Sequence, residues 1–444
     1  MPKNPKVVIL GAGLSGLSCA YHLKDDYEIY EKEEACGGLC RSSVLKGFTF
    51  DMAGHLLHFR QPSQLSLVRN LLEGNLKSRP RDSRVWFDGR FIPYPFQCHL
   101  KGLPAETIAE CVKGFQRARA RRSPAQERGD AENLKAWLLH RFGAGFTRHF
   151  FFPYNKKFWH MPLDRLTADW AKRFIPVPTL AEVRAGAYGD LVKRFGYNTV
   201  FWYPDFGGIQ SLIDGFRRHL KDIHTGHEAV RMDLKKKEIF FRNGHKTTFD
   251  ILVSTVPLPE IARMLTAVPS HVKRAFAKLR FVSVFNVNLG LIGIVEPRSH
   301  WAYYPQKSLP FYRLGFYSNF SGHSAPPGAT SMYAEAAYIA DRGFDRRRSL
   351  RRILSGLPFS GFGIRHKDIA VIQINDIKYG YCIYDRDRRA ALETLGAYLK
   401  GKGVWPIGRY GSWSYASMED VMIESQRTAR ELTGRHKSIS KEEN

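Results

Sequence analysis

Val7-Val8-Ile9-Leu10-Gly11-Ala12-Gly13-Leu14-Ser15-Gly16 is the stretch that decides the fold. Four apolar residues read as a buried strand and run straight into a G-x-G-x-x-G turn. A helical pattern follows at Leu17, Ala20, Tyr21 and Leu23, then a second strand over Tyr27–Tyr30 that ends at Glu31. Each piece has a physical task. Gly11 permits the tight turn, Gly13 lets a pyrophosphate approach the backbone, and Gly16 lets helix and strand pack closely. The free N–H groups at the start of the helix present partial positive charge to phosphate. Glu31, about 20 residues beyond Gly11, is placed to accept hydrogen bonds from a ribose. Strand, glycines, helix, strand and acid in this order predict a Rossmann-type dinucleotide-binding unit.

Outward from this unit, composition sets bounds. The chain has 444 residues, 43% hydrophobic and 13% aromatic, enough for two or three domains with substantial cores. Its six cysteines, Cys19, Cys36, Cys40, Cys98, Cys111 and Cys382, form no C-x-x-C pair, so reduced thiols and no metal site are expected. No signal peptide is read, and the apolar stretch Phe281–Val295 is interrupted by Asn286 and Asn288, as in a buried strand rather than a membrane span. A cytoplasmic setting follows as an expectation, at the inner membrane surface if the basic charge is used there. The net charge of +26 is concentrated at Arg117–Arg122, Arg346–Arg352 and the C-terminal tail. Nucleic-acid binding, weak peripheral attraction to an anionic membrane and an anionic substrate compete to explain it. The clusters lack interleaved aromatics, which argues against nucleic acid.

The segments divide as follows. Residues 1–60, 199–260 and 400–434 build a discontinuous cofactor domain. Residues 61–198 read as a mainly helical insertion, with Leu65, Val68 and Leu72, then Ile108, Val112 and Phe115, at helical spacing. Arg117–Asn133 is a charged loop or frayed helix. Residues 261–399 carry alternating strand signals, as in Val282–Leu289, and predict an antiparallel sheet of about six strands that covers the site. Arg84–Gln97 reads as a hairpin about Asp88-Gly89. The polar tail 435–444 is expected to lack structure.

After Glu31 comes a second glycine turn, Gly37-Gly38-Leu39-Cys40-Arg41-Ser42. It resembles the GG-x-x-R-S element of the superfamily that holds amine oxidases, protoporphyrinogen oxidases and UDP-galactopyranose mutases. This resemblance implies FAD rather than NAD, in a glutathione-reductase-like α/β fold. It implies that Gly38 and Arg41 join Gly11, Gly13, Gly16 and Glu31 around the cofactor, with Val230 packing on the adenine.

Further segments resemble the mutases in particular. Gly54-His55 matches a loop beside the flavin, which places His55 near the reactive nitrogen. Pro93-Tyr94-Pro95-Phe96 matches the pocket floor. Tyr154–Pro162 and Trp170–Arg173 match a mobile loop over a nucleotide sugar, so Trp159 is expected to stack on sugar or uracil and Arg173 to pair with diphosphate. Pro310-Phe311-Tyr312-Arg313 and Tyr379–Asp385 match diphosphate-binding motifs, which nominates Arg313, Tyr381 and Tyr384. Gly408–Tyr415 supplies Arg409 against the flavin and Tyr415 against the substrate. Met418 then opens a helix whose N-terminus faces the flavin carbonyl next to N1.

The resemblance implies pyranose/furanose isomerisation of UDP-galactose or a related UDP-sugar in cell-surface polysaccharide synthesis. The flavin is reduced by an external reductant, and its N5 forms a covalent adduct with the anomeric carbon. His55, Arg173, Arg313, Tyr381 and Tyr415 are the residues this chemistry nominates as catalytic. Two departures bear on the sugar: Cys382 stands where proline is usual, and Ala416-Ser417 stand where an Asp or Asn usually follows the tyrosine. The alternatives are an oxidase or dehydrogenase of the amine oxidase or protoporphyrinogen oxidase type, and a flavin-bound partner in an assembly complex. Neither the reductant nor the oligomeric state is written in the sequence.

Overall fold

The computed structural model describes residues 5–120, 133–189, 195–196 and 198–442, with side chains as far as 434. The predicted first unit forms as read: strand Val7–Leu10, helix Leu14–Leu23 and strand Tyr27–Tyr30. Val7–Leu10 is buried along its whole length, as expected of a strand covered on both faces. It is the centre of a five-stranded parallel sheet, flanked by Ile251–Ser254 and Tyr27–Tyr30, with Val404–Pro406 and Ile223–His224 at the edges. Three stretches far apart in sequence thus assemble one cofactor-binding layer. The final helix, Met418–Glu442, returns to pack on Leu14–Leu23, where the Ser425 hydroxyl donates to the Ser15 carbonyl at 2.9 Å.

The second layer is a seven-stranded sheet, one strand larger than expected. Its order is Ile369–Cys382, Phe281–Ile292, Ala329–Tyr338, Arg313–Phe316, Trp301–Tyr303, Ser83–Phe87, Arg90–Pro93. The last two strands are the hairpin read from Asp88-Gly89, both of which have positive φ (50° and 70°) as a type I′ turn requires. The hairpin joins the sheet through parallel pairing of Trp301 with Ser83. The stretch 61–198 therefore supplies strands to the sheet as well as helices such as Pro62–Leu72 and Ala105–Ala120.

Side-chain alternation gives the sheet two different faces. Leu314, Phe316, Met332 and Ala334 point into an apolar core with Phe285, Val287 and Leu289, which the helix Arg346–Gly356 closes through Ile353. Arg313, Gly315, Tyr333 and Glu335 lie on the other face, toward the cofactor layer.

The Arg117–Asn133 expectation is met by helix as far as Ala120, and residues 121–132 lie outside the described residues. The tail 435–444 falls where only the backbone of the final helix is described, to Glu442. No described helix is long and apolar enough to cross a membrane.

Candidate functional site

The glycine turn forms one end of the site. Gly11 has φ +98°, its N–H donates to the Tyr30 carbonyl at 2.8 Å, and a Cβ there would sit 2.2 Å from the Thr255 hydroxyl. A Cβ on Gly16 would sit 2.0 Å from the Gly11 carbonyl, so helix and turn are in contact. Gly13 differs: a Cβ there would meet nothing nearer than 3.9 Å. The open side of Gly13 is the space a pyrophosphate needs, and it lies next to Gly38 of the second turn. That turn is docked by the Gly37 N–H, which donates to the Ala12 carbonyl at 2.8 Å. Arg41 Nε donates to the Gly38 carbonyl at 3.0 Å.

The buried Glu31 carboxylate accepts the N–H of Ala12 at 2.8 Å and of Glu33 at 3.0 Å, which fixes it at the end of its strand. The backbone of Glu31 also accepts the His227 N–H at 2.8 Å, which brings in the loop before Val230. Val230 stands at a bulge, 39% exposed, an apolar surface beside the ribose end. At the other end, Cys40 Sγ lies 3.8 Å from Met418 Sδ, so the start of the final helix meets the second glycine turn. Ser417 and Asp420 cap that helix reciprocally: the Asp420 N–H donates to Ser417 Oγ at 3.2 Å and the Ser417 N–H to Asp420 Oδ2 at 2.8 Å.

A basic and aromatic pocket adjoins it. The Arg313 guanidinium pairs with Glu335, with Nε and Nη2 at 2.7 and 2.6 Å from Oε2, and Glu335 is only 1% exposed. Arg409 donates to the Ala416 carbonyl at 2.6 Å and lies over the rings of Tyr381 and Tyr415 at 5.1 and 5.0 Å. Tyr381 and Tyr415 stack on each other, 5.5 Å apart with an interplanar angle of 22°. His55 lies within the fields of both arginines. Burial first, then Arg409 and Arg313, lower its pKa to about 4, against the bond to the Ala53 carbonyl, which raises it. The neutral ring donates from Nδ1 to Ala53 at 3.0 Å, which leaves Nε2 as an acceptor.

Arg173 lies at the rim. It is 41% exposed and is held by Asp420, together with Arg60, which also bonds Glu419 at 3.0 Å. Its neighbours Trp170 and Phe174 pack on Tyr415 at 5.6 and 4.7 Å. The nominated residues His55, Arg173, Arg313, Arg409, Tyr381 and Tyr415 are thus brought to one end of the cofactor groove.

One nomination is corrected. Trp159 has no face to offer a sugar: it is fully buried, wedged between Phe158 at 4.8 Å and Trp170 at 5.2 Å. The helix Phe152–Trp159 turns it into the core, where it backs Tyr381 at 6.3 Å. Tyr384 also supports the pocket: its hydroxyl accepts the Tyr415 N–H at 2.9 Å, which leaves its O–H free to donate, and Arg388 covers its ring at 3.8 Å.

Sequence reasoning missed three residues. Glu335 is a lone acid in an apolar strand, a signal that could have found it. Arg60 carries no such signal. Asn286 was read only as an interruption of an apolar run. It pairs across the sheet with Glu335, is fully buried, and neither polar atom of its amide has a partner among the described residues. An orphaned amide on the face of Arg313 fits a polar ligand between the two layers, as the open side of Gly13 fits a pyrophosphate.

Fold and site define a flavin-dependent enzyme with a Rossmann-type cofactor layer and a sheet over the pocket. The chain belongs to the flavin-containing amine oxidoreductase family, whose model matches residues 14–357. Among solved structures it is similar to a reduced UDP-galactopyranose mutase, with 25% identity over 97% of this chain and 96% of that one and a TM-score of 0.90. A fatty acid isomerase from P. acnes that produces CLA shares the fold at 14% identity, covering 97% and 99% of the two chains, with a TM-score of 0.66. A putrescine oxidase bound to putrescine does so at 16% identity, covering 97% and 99%, with a TM-score of 0.67. The cofactor is FAD.

Proposed function

We propose that the protein is an FAD-dependent isomerase that interconverts pyranose and furanose forms of UDP-galactose or a related UDP-sugar for cell-surface polysaccharide synthesis. The observation that carries this reading is the set of three arginines, Arg173, Arg313 and Arg409, around a stacked tyrosine pair at the flavin end of the groove. Reduced FAD, kept so by an external reductant, supplies the nucleophile when bound. The protein must then hold a leaving group that bears negative charge.

Arg313 is preorganised by Glu335 and presents its remaining N–H groups to phosphate oxygens. Tyr381 and Tyr415 add hydroxyl donors, and Arg409 fixes both rings from the cofactor side. The neutral His55 accepts a hydrogen bond at Nε2 without adding charge beside the flavin. Arg173 closes the rim over the diphosphate once it leaves Asp420. The departures at Cys382 and Ala416-Ser417 leave a related hexose as open as galactose.

The similarity to a reduced mutase over nearly the whole of both chains supports the reading. An oxidase of small amines would give this arginine set nothing to bind. The test is anaerobic incubation of dithionite-reduced protein with UDP-galactopyranose and separation of the products, with oxidised protein as control.

A further inference from the structure

On the far face of the large sheet, the helix Arg346–Gly356 carries a second basic feature that the proposed chemistry does not use. Its sequence, Arg-Arg-Arg-Ser-Leu-Arg-Arg-Ile-Leu-Ser-Gly, contains no acid. Ile353 is buried in the sheet core. Arg348, Arg351 and Arg352, spaced i, i+3, i+4, are exposed on the opposite stripe. Arg346 pairs with Asp376, and the Asp345 carboxylate is spent on the Arg348 N–H at 2.9 Å. Among the described residues no carboxylate pairs with Arg348, Arg351 or Arg352.

These three arginines form one wall of a cleft of about 630 Å³. Its other walls are mixed: Trp86 from the hairpin, Leu309 and Pro310 are apolar, and Gln306, Ser308 and Ser355 are polar. At its mouth Phe359 is 72% exposed, the most exposed large hydrophobic side chain among the described residues.

Unpaired guanidinium groups, a trough with an apolar side at Trp86, Leu309 and Pro310, and an exposed aromatic ring suit an amphiphile with a phosphate head. The guanidinium forks match phosphate oxygens, the trough takes hydrocarbon, and an aromatic ring at the rim sits well at the boundary between headgroups and acyl chains. A net charge of +26 draws the molecule toward a negatively charged surface before contact. We propose that this cleft docks the protein on an anionic phospholipid surface, with phosphates on Arg348, Arg351 and Arg352 and with Phe359 inserted. Because Leu314 and Arg313 point to opposite faces of one strand, docking here leaves the flavin pocket on the other side of the sheet unobstructed. The inference stands independently of the substrate.

The experiment is sedimentation of the FAD-loaded protein with vesicles, either phosphatidylcholine alone or phosphatidylcholine mixed with phosphatidylglycerol, at physiological ionic strength. Wild type is expected to pellet with the mixed vesicles only. The triple variant R348Q/R351Q/R352Q should partition at least about ten-fold more weakly. Phe359→Ser should weaken partitioning with no change in charge. The charge-matched control K235Q/K236Q/K273Q should stay within about two-fold of wild type, its lysines being exposed elsewhere. Flavin content and melting temperature confirm that each variant is folded. Absence of wild-type pelleting overturns the proposal. Equal losses in the arginine and lysine variants, or an unchanged Phe359→Ser, also overturn it, because binding would then follow diffuse charge rather than this cleft.

Discussion

Arg173 Nη2 lies 2.7 Å from both carboxylate oxygens of Asp420, the residue that also caps the first turn of the final helix. Arg173, which we propose binds the diphosphate, is therefore already engaged at the rim. On that proposal the ligand displaces the carboxylate, and the cost of doing so is that of a partly exposed ion pair.

Asp420→Asn is expected to tighten UDP binding by up to about five-fold, since exposed pairs of this kind contribute roughly 0.2–1 kcal/mol. Arg173→Ala should weaken it. Calorimetric titration of the FAD-loaded variants with UDP checks both, and a weaker Kd for Asp420→Asn would refute the competition.

Arg313 requires a different design. Glu335 is buried, so Arg313→Ala leaves an unpaired carboxylate and should cost roughly 3–5 kcal/mol of stability. The double variant Arg313→Met with Glu335→Gln removes both charges and should recover most of that loss in denaturant unfolding. UDP affinity should stay low in the double variant while FAD remains bound. Full recovery of UDP affinity would remove Arg313 from the substrate site.

Gly13 and Gly16 separate cofactor binding from folding. Gly13→Ala introduces a Cβ with no neighbour inside 3.9 Å, so the fold should melt within about 1 kcal/mol of wild type while FAD retention drops sharply. Gly16→Ala drives a Cβ to 2.0 Å from the Gly11 carbonyl and should destabilise the fold itself. The flavin absorbance of purified protein, read beside its melting curve, distinguishes the two.

Asp51 gives a pH signature. Burial raises its carboxyl to about 6, although the Ser42 and Tyr203 hydroxyls and the Ile209 N–H, which donate to it, pull it down. The folded state thus holds a proton that the unfolded state has released above the usual range near 4. The contribution is present in full below about pH 4 and is lost as pH rises through 6, a difference of roughly 3 kcal/mol. Asn in its place keeps one acceptor for Ser42 and Ile209 and offers Tyr203 a donor. Asp51→Asn should therefore flatten the fall in melting temperature between about pH 4 and 6. An unchanged slope relative to wild type would show that Asp51 is not its source.

The cofactor end was readable because its constraints are local. Gly16 answers to Gly11 five residues away and Gly13 to the ligand, Gly11 is marked by the G-x-G-x-x-G spacing although it meets Thr255, and Val7–Leu10 needs only to be apolar. The pocket was readable in part. Periodicity places Arg313 on a strand, but only the sheet register brings Glu335 and Asn286 opposite it. Trp159 was misjudged because an aromatic residue at the end of a helix looks the same whether it faces a ligand or Trp170. The pairing of Arg173 with Asp420 joins segments 247 residues apart, and no local pattern encodes it.

Chromatography of the anaerobic incubation with UDP-galactopyranose decides whether this pocket activates a UDP-sugar with reduced FAD. A new UDP-hexose peak is expected with dithionite-reduced protein and none with oxidised protein. Turnover that consumes reducing equivalents or oxygen, with no isomeric product from any UDP-hexose supplied, would contradict it and assign the pocket to an oxidase.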